Sequence, residues 1–162
     1  SSQGYSTSLY YIMGYAAMNL ACFLVICVVA PSGKNLAIED LTGLHQRSPL
    51  LAVILAIGLF ALAGIPPFVG FTGKFMLLVS AFKQGHVLAV ILAAINTAIA
   101  IYYYLSVVRV AYCSDPEGAT VNVAPGALTT AVSLLLLLVI VAMGILPGVF
   151  LNLTSTAVGT IL

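Results

Sequence analysis

Charge is what this sequence has least of: five Lys plus Arg and four Asp plus Glu in 162 residues, 6% of the chain. A soluble domain carries about 25% charged residues to keep its surface in water, so the composition excludes one. The formal net charge of +1 excludes an electrostatic nucleic-acid binder, because grip on a phosphate backbone needs many Lys and Arg side chains. Tryptophan is absent, and the eight tyrosines are left to act as interfacial aromatics. The cysteines Cys22, Cys27 and Cys113 form no CxxC pair and have no histidine beside them, which argues against a zinc site or a disulfide framework. They read as small apolar side chains. There is no phosphate loop, GxGxxG, nucleophile elbow or cluster of metal ligands, so no nucleotide, redox or metal site is expected here. The chain opens without Met and without a basic segment leading to a cleavage site, so it reads as a processed chain or as part of a longer one, with no signal peptide.

What is abundant is apolar: 62% of residues are hydrophobic. The few charges punctuate them. Lys34, Glu39, Asp40, His45 and Arg47 occupy one stretch, Lys83 and His86 a second, Asp115 and Glu117 a third. Between them lie apolar runs over 6–30, 50–82, 87–112 and 127–150. Crossing about 30 Å of hydrocarbon at 1.5 Å per residue takes about 20 residues, and these runs are long enough. The expectation is a single all-α polytopic membrane domain with four spanning helices, the segment 151–162 finishing the fourth or lying along the interface. Loops 31–49 and 113–126 then share one side with Lys34, Arg47 and Arg109, while Lys83 lies on the other, so the positive-inside rule puts the two loops in the cytoplasm. His45 and His86 fall in loops and read as solvated.

The second run differs from the others. Continuous, it would measure about 50 Å, yet Gly64-Ile65-Pro66-Pro67 interrupts its middle. Two consecutive prolines lack two N–H donors, so the carbonyls near Leu62 and Ala63 lose their helical partners. In hydrocarbon each such group costs several kcal/mol unless protein or a water-filled cavity surrounds it. One spanning helix, discontinuous at Gly64–Pro67 and enclosed by its neighbours, is therefore expected. A packing kink is the plainer reading of the prolines; broken helices are also where transporters build ion sites.

Lys74 is the most informative residue. Nine steps from Lys83 at 1.5 Å each put it about 13 Å inside that boundary, near the half-thickness of the hydrocarbon. A lysine at that depth costs roughly 2.5–3.5 kcal/mol, so it should face the bundle interior and pair with water or a polar group. Lysine is also a basic side chain whose protonation responds to burial, which suits it to carrying a proton. The plainer alternative is snorkelling along its four-carbon stem, which explains Arg109 adequately. Tyr11, Tyr15 and Asn19 recur every four residues and form a polar stripe on the first helix; Asn96 and Thr97 hold a central position on the third. They read as interhelical hydrogen-bonding groups or as a hydrated row leading to Lys74.

The block Leu62–Phe75, LAGIPPFVGFTGKF, is followed by Ile101-Tyr102-Tyr103-Tyr104-Leu105 and Arg109, and preceded by Tyr11, Tyr15, Asn19, Leu20 and Phe23. Together these residues resemble the antiporter-like subunit N family (mitochondrial subunit 2) of proton-pumping NADH:quinone oxidoreductase, respiratory complex I. The resemblance covers nearly the whole chain, which is similar to the last four helices of a longer protein. It implies that 50–82 is the discontinuous helix of the second inverted repeat and that Lys74 is the proton-transfer lysine. The helix break would be supplied by Gly64, Pro66 and Pro67, and supporting polar groups by Asn19, Thr72 and Asn96. The lysines and glutamate of the family's first repeat have no counterpart here. It implies no cofactor bound by this chain, with NADH, flavin, iron–sulfur clusters and quinone in other subunits. It also implies membrane-arm subunits of complex I and the lipid bilayer as partners, no nucleic acid, and a bacterial inner membrane or organelle energy-coupling membrane as location. Two other readings stand beside it: a cation/proton antiporter subunit, and a structural membrane fragment in which Lys74 snorkels and the prolines only kink.

Overall fold

Across residues 2–30, 36–113 and 123–161, which the computed structural model describes, the regular secondary structure is entirely helical. The chain runs α1 (Ser2–Val29), a 3-10 turn (Ile38–Leu41), α2 (Leu44–Arg47), α3 (Pro49–Ala63), α4 (Val69–Lys83), α5 (Val87–Cys113), α6 (Ala127–Ile145) and α7 (Pro147–Ile161). Lys34, Asp115 and Glu117 lie outside the described residues. Among those described, three helices are long and apolar enough to cross a membrane: Gly4–Val29, Val87–Cys113 and Ala127–Ile145.

The core forms where α1 packs on α3, with Met18, Ala21, Val25, Leu51, Ala52, Ile54 and Leu55 buried. α3 is apolar all round and buried over most of its length, with Val53 facing outward. It starts at Pro49, where a missing N–H costs nothing. α5 packs on α3 and α4 but turns Leu88, Ile91, Leu92, Ile95, Ile99, Tyr102 and Tyr103 outward. In a membrane chain that face meets lipid or further helices.

Two sequence expectations are corrected. The run 127–150 is not one helix: α6 ends at Ile145, and a separate α7 begins at Pro147. The proline lacks the N–H that would continue the ladder, and α7 packs mainly along α1. His45 is not simply solvated either. It lies in α2, its Nδ1 is 3.1 Å from the Ala111 carbonyl, and its ring stacks on Tyr112 at 5.6 Å. With Val123 N–H donating to Arg47 O at 3.3 Å, this joins the short helices before α3 to the end of α5 and the approach to α6, at one end of the bundle.

Candidate functional site

The end of α3 is set by a glycine. Gly64 has φ 82 and ψ 37, its N–H donates to Ala61 O at 3.0 Å, and the Ile65 N–H donates to Phe60 O at 3.0 Å. This crossed pair around a left-handed residue closes a helix and uses two of its last carbonyls. The Leu62 and Ala63 carbonyls are left over, because the residues four positions on are Pro66 and Pro67. Lys74 takes one of them: its Nζ donates to Leu62 O at 2.7 Å. The half-buried lysine reaches back from the second turn of α4, and its stem lies over Gly64, where an added Cβ would sit 3.5 Å from Cδ and 3.7 Å from Nζ. The carbonyl end of a helix carries about half a negative charge, so the ammonium lies at the favourable pole of α3.

Gly64→Ala is expected to cost roughly 1–2 kcal/mol, the price of a side chain in left-handed backbone, since the space itself is ordinary contact. A lowered melting temperature of the purified full-length protein checks this; an unchanged one would contradict the strained geometry.

The segment between α3 and α4 is packed on one side only. Val69 and Gly70 are buried, whereas Pro66 and Pro67 are exposed, so full enclosure by neighbouring helices is not what these residues show. On the packed side the backbones touch: a Cβ at Gly70 would overlap the Ala61 carbonyl, and one at Gly144 of α6 would overlap the Pro67 carbonyl and come within 2.7 Å of Phe68 C and Val69 N. Thr72 Oγ1 donates to Gly144 O in a long bond of 3.4 Å. Tyr10 donates from its hydroxyl to Met143 O. The Tyr11 ring covers Gly73 and lies 6.0 Å from that of Tyr15.

Lys74, Gly64, Pro66, Pro67 and Thr72 thus converge on one helix interruption. Asn19 and Asn96 do not join it through the bonds they make. Asn19 Nδ2 donates to Tyr15 O of its own helix at 2.8 Å, Asn96 is exposed on α5, and its neighbour Thr97 bonds Ala93 O of the same helix at 2.8 Å. The contributions missed from sequence are those of Tyr10 and Gly144; the signal available for them was Leu146-Pro147-Gly148, which marks a second interruption. A groove of about 650 Å³ opens between α1, α4 and α7, on the Lys83 side of Lys74, with Ser6, Thr7, Ser80, Lys83 and Asn152 in its lining. Among the described residues, no group of three or more His, Cys, Asp or Glu side chains is placed to hold a metal ion.

The family described as "NADH:quinone oxidoreductase/Mrp antiporter, TM" matches residues 1–100. The chain belongs to this family. Over 98% of its length it is 50% identical to NADH-quinone oxidoreductase subunit N 2 of Opitutus terrae and 42% identical to that of Solidesulfovibrio magneticus, covering 33% and 34% of those proteins. It therefore spans about a third of the length of these curated relatives. Its fold matches a chain of respiratory complex I from Thermus thermophilus with TM-score 0.82 and 26% identity, over 91% of this chain and 34% of that one. A chain of the Mrp complex from Dietzia sp. matches in fold with TM-score 0.76 at 21% identity, over 99% of this chain and 38% of that one. Family and apolar helices together make this a multi-pass membrane protein, and both structural matches are parts of multi-subunit complexes.

Proposed function

We propose that this chain is the C-terminal part of a proton-translocating membrane subunit of an NADH:quinone oxidoreductase, in which Lys74 accepts and releases a proton. In this reading α3 and α4 together form one spanning helix, discontinuous over Gly64–Pro67, so that the chain crosses the membrane four times with its two longer loops in the cytoplasm. The observation that carries the reading is the hydrogen bond from Lys74 Nζ to Leu62 O. It joins a basic side chain to a carbonyl that Pro66 strips of its helical donor.

That arrangement suits proton transfer. Protonated, the amine satisfies an orphan carbonyl and meets the negative end of α3; deprotonated, it loses most of that attraction. The two protonation states thus favour different side-chain positions, which is what a carrier needs. Thr72 ties α4 to Gly144 of α6 beside the interruption, and Asn19 and Asn96 are further polar groups of the path. The energy would come from quinone reduction in other subunits, which hold NADH, flavin and iron–sulfur clusters, and the partners are the other membrane-arm subunits. The 50% and 42% identities to oxidoreductase subunits favour this over a cation/proton antiporter, which shares the family description and matches in fold at 21% identity.

Inverted membrane vesicles carrying the full-length protein test the reading. NADH oxidation is expected to drive proton uptake, abolished when the gene is deleted. Proton exchange driven by a cation gradient, with no dependence on NADH or quinone, would instead assign the chain to an antiporter.

A further inference from the structure

The proton-transfer reading uses one helix interruption, but the described residues hold a second at Leu146-Pro147, and the two touch. Pro147 removes the N–H that would donate to Met143 O, four residues earlier. Tyr10, fully buried on α1, donates its hydroxyl to that same Met143 carbonyl. The next carbonyl, Gly144 O, receives Thr72 Oγ1 at 3.4 Å. Between these two tethers, the Gly144 backbone lies directly on Pro67 and Phe68. The α6–α7 interruption is thereby fastened to the 64–68 segment, whose other side presents Gly64 and the Leu62 carbonyl to Lys74.

We propose that Tyr10 is a positioning residue for Lys74: by capping the carbonyl that Pro147 orphans, it clamps the second helix interruption against the first and fixes the segment on which the Lys74 ammonium rests. The inference rests on the proton-transfer reading. The hydroxyl is what the position requires, since a phenyl ring would fill the same space and leave a buried acceptor without a donor. Tyr10 and Lys74 need no direct contact, because the backbone contact of Gly144 on Pro67 links them.

The test uses the full-length subunit in its host complex, with the initial rate of NADH-driven proton uptake in vesicles normalised to assembled complex. Tyr10→Phe is expected to slow uptake by about tenfold, the scale of a lost bond to a buried carbonyl. Pro147→Ala restores a backbone N–H to Met143 O and makes the hydroxyl redundant, so adding Tyr10→Phe to Pro147→Ala should change the rate by less than about twofold. A tyrosine that acts other than by capping Met143 O would show the same loss in both backgrounds, and that result, or a normal rate for Tyr10→Phe alone, overturns the inference. If Tyr10→Phe prevents assembly, assembly of the double variant supports the clamp and its absence overturns it. Lys74→Ala, measured alongside, separates the two levels. A normal rate there removes the proton-transfer reading, whereas a slow Lys74→Ala with a normal Tyr10→Phe removes only the clamp.

Discussion

Gly144→Ala is expected to deplete the assembled protein severalfold, although it adds one methyl group to a helix in the residue type that helices favour most. The reason is what the methyl would meet. Its carbon would overlap the Pro67 carbonyl and lie within 2.7 Å of the Phe68 and Val69 backbone, and backbone cannot rotate aside as a side chain does. α6 would have to move away from the 64–68 segment, stretching the bonds from Tyr10 to Met143 O and from Thr72 to Gly144 O. Overpacking of this kind costs typically 1–3 kcal/mol, and more where the neighbour cannot give. Gly70→Ala should behave alike, because its Cβ would overlap the Ala61 carbonyl. Gly148→Ala is the matched control: it lies three residues past the end of α6, in the first turn of α7, with nothing within 4 Å of an added Cβ, and should leave assembly unchanged. The amount of full-length subunit in the complex on a native gel checks all three. Equal assembly of Gly144→Ala and Gly148→Ala would mean that the two interruptions do not touch.

How far the sequence could be read depended on how local the relevant chemistry is. The interruption at 64–68 was legible because Pro-Pro removes two donors at a known spacing, whatever surrounds it. The same logic named Leu62 as an orphan carbonyl, although not the group that binds it. That Lys74 reaches it follows from how closely the start of α4 packs on the end of α3, with Gly70 seated on Ala61, a contact that no periodicity reveals. Pro147 carries the same chemical message as Pro66, yet a lone proline is often absorbed within a membrane helix, so the run 127–150 read as continuous. Which outcome applies depends on whether something else caps Met143 O, and that partner, Tyr10, is 133 residues away in the chain. His45 illustrates the converse: a histidine in a polar stretch looks solvated until α2 is found against Ala111 and Tyr112. Central position in a helix identified Asn19 and Asn96 as polar groups at depth, but depth says nothing about which way a helix turns them. Asn19 bonds within its own helix and Asn96 lies on the outer face of α5.

The largest functional effect is expected at Lys74. Lys74→Ala removes the one charged group in the interruption and returns Leu62 O to an unpaired state, so proton uptake should fall by at least about a hundredfold. This matches a general acid–base contribution of 10²–10⁴. Assembly should survive, since the lysine is only half-buried and packing around Gly70 and Gly144 does not use it. Lys74→Arg keeps the charge and the hydrogen bond to Leu62 O, but a guanidinium cannot be deprotonated under protein conditions. It therefore separates a lysine that carries a proton from one that only fills the interruption. The decisive measurement is the initial rate of NADH-driven proton uptake in inverted vesicles for Lys74→Arg, normalised to assembled complex. Proton transfer through Lys74 predicts a rate as low as that of Lys74→Ala; a rate equal to that of the unsubstituted protein would show that Lys74 serves only as a fixed positive charge and would contradict the account.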